Sequence, residues 1–410
     1  MKKTLLFLLC CIGTISQGQT ISGTIKNASG EGIKNALVCQ ADKPSIFKKT
    51  DVNGKYTIAG SNTTKLRIAA LGYETVKSTL TRNVVLKKDP LLNTDVFHIS
   101  FDHLRAGDSY TETEFKTDFN SANGIGFSNG STGSNRASVD YKISRDPGGV
   151  SLKVKFPKGK LKTADSGIDG RIPLKNTFKD NDFKSSDLYV SYWVKFSDNF
   201  DFTKCGGKLP SLGGSDFNSR ENTWKGRIMW RKGGSIQFYM ELPDNKFNAD
   251  DEERFWGKKV KPGDGICNFQ YTNYLAKAGW HNIELHYKFE SPGKNNGIFE
   301  GWVDGVNYDF INATVFNNYK PKGTKRENIT INAILLSSFL GGSGDAYIPD
   351  QDEYAWFDEI RVSTKRINEF SKYSKITRED ILSENNENTT FFCVSKSQQR
   401  NFYHYWRKRC

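Results

Sequence analysis

CGGKLPSLGG at residues 205–214 and WKGRIMWRKGGSIQFYMELP at residues 224–243, separated by a short polar stretch, decide how this sequence is read. In the second block Ile236, Phe238, Met240 and Leu242 alternate with Gln237, Tyr239 and Glu241, the period of a strand with one apolar and one wet face. Ile228 and Trp230 alternate in the same way with Lys225, Arg227, Met229 and Arg231. Between the two runs, Lys232-Gly233-Gly234 supplies a three-residue hairpin loop with a glycine for the left-handed position. That loop sets Arg231 opposite Ser235, Trp230 opposite Ile236, Ile228 opposite Phe238, Arg227 opposite Tyr239 and Lys225 opposite Glu241. Every pair joins like with like except Met229 with Gln237. A two-residue loop would put Arg231 against Ile236 and exchange the faces of the whole ladder.

Directly opposed residues on one sheet face have Cβ atoms about 5 Å apart, so Arg227 is expected beside the Tyr239 phenol. A cation there favours phenolate and lowers the tyrosine pKa from about 10. Bringing it to neutrality takes on the order of 4 kcal/mol, more than one exposed pair supplies. Lys208, in what reads as a GGKLP loop, is the candidate second cation. An arginine facing a tyrosine is also ordinary cation-on-ring packing, and a lysine in a glycine-rich loop is often simply solvated. GGKLPSLGG lacks the ending and spacing of a phosphate loop.

The first nineteen residues read as a targeting segment. Lys2-Lys3 precede the apolar run Leu5 to Ile15, and small polar residues follow. No other run is long or apolar enough to span a bilayer as a helix. The net charge of +13 suits an anionic partner without choosing among acidic polysaccharide, nucleic acid and membrane surface. Of the seven cysteines, Cys10 and Cys11 fall inside the leader, leaving Cys39, Cys205, Cys267, Cys393 and Cys410. No Cys/His spacing suggests a metal, and Cys205 with Cys267 is a candidate disulfide.

The expected fold is all-β in two parts. Residues 20–88 hold short alternating runs punctuated by turns such as Asn53-Gly54. The stretches ISGTIKNASGEGIKNALV, TDVNGKYTIAG and AALGYETVKSTL resemble the carboxypeptidase regulatory-like domain, a small transthyretin-like β-sandwich. A linker at 89–94 leads to a large domain at 95–364. There Leu188, Val190, Tyr192, Val194 and Phe196 form one alternating run, His281, Ile283, Leu285 and Tyr287 form another, and Asp304-Gly305 marks a hairpin turn. Such strands without helical periodicity argue a large β-jelly roll, a concanavalin-like sandwich. Residues 365–410 read as a basic tail without clear order.

Four blocks in the large domain resemble polysaccharide lyase family 14: DLYVSYWVKFSDNFDFTKCGGKLPSLGG, GRIMWRKGGSIQFYMELP, GWHNIELHYKFESPGKNNGIFEGWVDG and ILLSSFLGGSGDAYIPDQDEYAWFDEIRV. The family contains alginate and related polyuronate lyases with a jelly-roll fold. The resemblance therefore implies β-elimination on a (1,4)-linked uronic acid polymer, with no cofactor or metal. It carries the family's loop lysine to Lys208, its hairpin arginine to Arg227 and its first groove tyrosine to Tyr239. Relatives commonly have a second tyrosine where this chain has Glu241, and a small hydroxyl residue where it has Lys225. Because these two positions face each other, the changes can compensate as a cross-strand ion pair.

Elimination needs a cation to neutralise the substrate carboxylate, a base for the C5 proton and an acid for the departing O4. Arg227, assisted by Arg231, suits the first task. Tyr239 can act as base and acid in turn, with Lys208 either polarising it or sharing the base role. Lys225, Arg231, Gln237 and Glu241 are the candidate substrate-binding residues. His281 reads as a core residue, whereas His286 faces the other way and is an outside candidate for the base. Asp352, Glu353, Asp358 and Glu359 lack the array of a paired-carboxylate hydrolase. The expectation is a secreted or periplasmic monomer, with cell-surface association as a further option, acting on acidic polysaccharide, not nucleic acid. The alternative is a non-catalytic carbohydrate-binding protein with a basic groove on the same fold.

Overall fold

The computed structural model describes residues 19–90, 96–120, 136–180, 183, 185–214, 224–241, 275–289, 298–312, 330–341 and 344–367, without the side chains of 163, 237–241 and 306–312. Residues 1–18, the stretch from residue 368 onward, and Cys267, Cys393 and Cys410 lie outside the described residues.

Seven strands come first: β1 (Thr20–Lys26), β2 (Leu37–Gln40), β3 (Phe47–Lys49), β4 (Lys55–Ala59), β5 (Leu66–Ala69), β6 (Val76–Thr79) and β7 (Asn83–Val85). They make two small sheets, ordered β4-β1-β7 and β3-β2-β5-β6. Ile21, Ile25, Val38, Ile58, Leu66, Ile68 and Leu86 form a hydrophobic cluster of their own between them. The short strands β3 and β6 carry no clean alternation, so periodicity alone does not find them. At the turn before β4, Asp51 Oδ1 accepts the backbone N–H groups of Asn53 and Lys55 at 2.9 and 2.8 Å. The turn joins strands of different sheets, because β3 pairs with β2 and β4 with β1.

The remaining strands are β8 (Val96–Ile99), β9 (Ala137–Asp140), β10 (Ser151–Phe156), β11 (Ile168–Pro173), β12 (Asp187–Phe196), β13 (Gly207–Gly214), β14 (Trp224–Trp230), β15 (Ile236–Glu241), β16 (His281–Lys288), β17 (Ile298–Val303), β18 (Val306–Asn312), β19 (Ala333–Leu340) and β20 (Glu353–Ser363). An eight-stranded sheet runs β18-β17-β16-β12-β20-β10-β9, with β8 also paired to β20. A five-stranded sheet runs β11-β19-β13-β14-β15. One apolar core joins them, drawing Leu188, Val190, Val194, Ile283, Leu285 and Phe357 from the first sheet and Leu209, Leu212, Ile228, Trp230, Ile334 and Leu336 from the second. The protein is thus an all-β sandwich whose alternation dictates which residues enter the core.

The β14–β15 register is the one the loop length dictates: Lys225 opposite Glu241, Arg227 opposite Tyr239, Ile228 opposite Phe238, Met229 opposite Gln237 and Trp230 opposite Ile236. Gly233 and Gly234 take φ of 73° and 74°, and Arg231 N–H closes the loop on Ser235 O at 2.8 Å. At the β17–β18 hairpin Asp304 and Gly305 have φ of 50° and 77°, the positive pair of a mirror-image turn.

The two parts of the chain are joined by buried charge. Arg67 on β5 is 2% exposed and donates through one nitrogen to the carbonyl and Oδ1 of Asp102, at 2.6 and 2.8 Å. Asp102 Oδ1 also accepts Val150 N–H. Beside this pair, His98 on β8 hydrogen-bonds Asp89 through Nδ1 and Glu359 on β20 through Nε2, the latter at 2.9 Å. Burial works against a charged His98, but the hydrogen bonds to Asp89 and Glu359 outweigh it and raise its pKa above 6.5. Burial alone would raise Glu359, yet His98, Arg361 and Arg145 hold its carboxyl well below the ordinary range. The stabilisation from His98 is therefore complete below its unfolded pKa and is lost as pH rises through the folded value. The Glu359 contribution persists down into strong acid. Denaturant stability of the wild-type protein should fall more between about pH 6 and about pH 9 than that of His98→Gln; parallel curves would refute this account.

Candidate active site

The site is built on a bulge. Strand β13 pairs with β14 as Gly207↔Trp230, Lys208↔Met229 and Leu209↔Ile228, then resumes at Leu212↔Gly226, so β13 spends one more residue than β14 over that interval. Tyr287, on β16 of the other sheet, reaches across the core to this place. Its hydroxyl donates to Gly226 O at 2.7 Å and accepts Leu212 N–H at 3.4 Å. Complete burial pushes its phenol far above the ordinary tyrosine range, so it stays a neutral donor. Gly226 is required by this contact, since a Cβ there would lie 2.3 Å from Tyr287 Cε1.

Arg227 follows Gly226 on the opposite, outer face of β14. Its guanidinium lies 5.7 Å from the Phe339 ring centroid, and the residue is only 3% exposed. The side chain is thus buried over the Phe339 ring rather than held out in solvent. A buried guanidinium acts on a neighbouring carboxylate more strongly than an exposed one. Lys208 occupies a strand rather than the loop its glycines suggest, half-buried opposite Met229 on one side and Phe339 on the other. It is therefore a diagonal neighbour of Arg227 across the β13–β14 pair. A Cβ at Gly341 would come within 3.3 Å of Lys208 Nζ, so that glycine leaves room for the ammonium. Tyr239 is the register partner of Arg227, Gln237 of Met229 and Glu241 of Lys225. The side chains of Gln237, Tyr239 and Glu241, and with them the Lys225–Glu241 ion pair, lie outside the described residues.

Arg231 does not extend this group. It is 1% exposed and donates to the Tyr347 hydroxyl at 3.2 Å and to Cys205 O at 3.4 Å, which ties the hairpin end to the chain before β13. These bonds give Arg231 a structural role at the hairpin end. Cys205 is disulfide-bonded, with its partner outside the described residues, and Cys39 is a buried free thiol. His281 is buried against Asp304 at 2.8 Å, at the β17–β18 turn. His286 sits between Asp187 at 2.7 Å and Glu300 at 2.8 Å, its ring stacked 4.0 Å from Tyr189, on the outer face of the eight-stranded sheet. The sandwich therefore separates His286 from Lys208 and Arg227, which removes it as a base for this site. The carboxylates of β20 and the turn before it are engaged locally: Asp352 with Lys155, Glu353 with Asp201 N–H, and Glu359 with His98 and Arg361. Among the described residues no group of three or more His, Cys, Asp or Glu is arranged to hold a metal ion.

A family model described as polysaccharide lyase 14 matches residues 144–360, more than half of the 410-residue chain and all of the strands that carry these side chains. The chain belongs to the polysaccharide lyase 14 family. Among solved structures, the Aplysia kurodai PL-14 alginate lyase is 21% identical with a TM-score of 0.45, over 67% of this chain and 100% of that one. The alginate lyase Aly36B is 17% identical with a TM-score of 0.44, over 67% of this chain and 97% of that one. The Chlorella virus alginate lyase vAL-1 is 17% identical with a TM-score of 0.37, over 56% and 88% respectively. No curated protein matches the sequence.

The run Ser337 to Gly342 reads from the sequence as the end of an apolar strand and a candidate groove rim, but the hydroxyl contacts of Tyr287 and the bond that Ser337 Oγ donates to Asp169 Oδ1 escape a sequence reading of this polysaccharide lyase 14 domain. Strand β19 is apolar on both faces, so alternation does not tell which side Phe339 takes. The position of Tyr287 on the apolar face was legible, but its hydroxyl partners lie more than sixty residues away. Tyr287→Phe should lower stability by about 1–3 kcal/mol in urea unfolding, because Leu212 N–H and Gly226 O lose a buried partner. An unchanged midpoint would mean that the bulge holds itself.

Proposed function

We propose that this protein is a secreted polysaccharide lyase that cleaves a (1,4)-linked polyuronate of the alginate or glucuronan type by β-elimination. The observation that carries this reading is the convergence of Lys208 and Arg227 on adjacent strands, with Tyr239 at the register position opposite Arg227, in a chain of this family.

In the reaction, Arg227 binds the uronate carboxylate and offsets the charge that develops when C5 loses its proton. Tyr239 takes that proton as phenolate, or Lys208 shares the task. The electron pair left on C5 forms the C4=C5 double bond as the C4–O4 bond breaks. The leaving O4 takes up a proton from Tyr239, so the same group can serve as base and then acid. Two neighbouring cations favour the phenolate form that starts the cycle. Lys225, with Glu241 at the register position opposite it and Gln237 on the same strand as Tyr239, biases which uronate fits. The segment before residue 20 serves export, and residues 20–88 form a carboxypeptidase regulatory-like module.

Incubation with alginate and glucuronan should produce the ultraviolet absorbance of an unsaturated uronate. Tyr239→Phe and Lys208→Ala should each lower the rate by about 10²- to 10⁴-fold. Polymer retention without new absorbance would identify a carbohydrate-binding protein instead. New reducing ends without unsaturation would identify a hydrolase.

A further inference from the structure

We propose that Arg171 holds the carboxylate of a distal uronate unit and so makes a second sugar-binding position at the far edge of the five-stranded sheet, beside the Asp169–Ser337 pair. The proposal rests on the lyase reading above and extends it from the reacting sugar to the chain that carries it.

The placement follows from strand order and alternation. Strand β11 is one edge of the sheet and β15, which carries Tyr239, is the other. Ile168 and Ile172 enter the core, so Asp169 and Arg171 alternate onto the outer face that Arg227 and Lys208 share. The Asp169–Ser337 hydrogen bond agrees, because Ser337 lies two residues from Phe339 on β19, and Phe339 is the ring beneath the Arg227 guanidinium. Arg171 pairs with Leu335, which pairs with Ser211 just before the bulge closes. The outer face therefore presents a cation on its first strand at Arg171, on its third at Lys208 and on its fourth at Arg227.

The chemistry at Arg171 suits an acidic sugar. The residue is half-buried, and no acidic side chain pairs with it among the described residues. A planar guanidinium takes a carboxylate through two parallel hydrogen bonds. Asp169, only 7% exposed, accepts from Ser337 Oγ on the neighbouring strand and so leaves Arg171 as the group on this edge that suits a carboxylate. The three strand steps from β11 to β14 span about 14 Å. A 1,4-linked pyranoside unit advances by a length close to one strand spacing. A chain crossing the strands from Arg227 thus brings a carboxylate to Arg171 a few units along.

The test uses the full chain and saturated oligouronates of defined length, with kcat and KM read from the unsaturated product. Arg171→Ala should raise KM for hexasaccharide and polymer by about tenfold, leave kcat within about twofold and leave the trisaccharide unaffected. Arg171→Lys should recover part of the loss, and equal thermal midpoints would establish that both variants fold. An unchanged KM at every length, or an equal rise for trisaccharide and polymer, would overturn the second position. If the wild-type protein forms no unsaturated product from any polyuronate, the lyase reading fails by itself. Gel retardation by the polymer then decides the subsite: weaker retardation of Arg171→Ala upholds it and equal retardation overturns it.

Discussion

One hydroxyl in the middle of an apolar sandwich holds the candidate site in shape. Tyr287 leaves the eight-stranded sheet, crosses the core and places its oxygen between Gly226 O and Leu212 N–H. A bulge strands backbone polar groups, and a stranded group in a dry core costs about as much as a lost hydrogen bond. Tyr287 meets that cost with a neutral phenol that both donates and accepts. The extra residue in β13 shifts its remaining positions relative to β14. The half-buried ammonium of Lys208 and the buried guanidinium of Arg227 owe their diagonal relation to the paired run just before that shift.

The second constraint is parity. On a sheet, a slip of one residue exchanges faces, so the hairpin register decides whether Arg227 shares its surface with Tyr239 or sends its charge into the core. Three residues of loop, two of them glycines with positive φ, settle the matter locally. Trp230 and Ile228 then anchor the inner face among Phe156, Phe196 and Phe200. Burial of those rings makes any alternative register costly.

What could be read in advance follows from the same two constraints. The hairpin, the strand of Leu188 to Phe196 and the Asp304-Gly305 turn were legible because period and loop chemistry are local. Lys208 was misassigned to a loop because glycines were taken as punctuation. Gly206 does have φ of 110°, but Gly207 is small for another reason: a Cβ there would lie 2.3 Å from Trp230 Cζ2. Arg231 had the right parity for the wet face, yet at the strand end Tyr347 and the Cys205 carbonyl enclose it, and alternation carries no information about such neighbours. The bulge was invisible because its cause sits on a strand some sixty residues further along the chain.

The two outer faces of the sandwich carry different sets of charged residues. On the eight-stranded sheet acids are matched with bases at close range: His286 with Asp187 and Glu300, Lys155 with Asp352, and Arg361 with Glu359. The outer positions of the five-stranded sheet carry the cations Arg171, Lys208, Lys225 and Arg227 and the acids Asp169 and Glu241. A chain with a net charge of +13 has cations to place anywhere. Placing two of them on strands β13 and β14, whose backbones Tyr287 pins from behind, fixes the spacing of Lys208 and Arg227 before any ligand arrives.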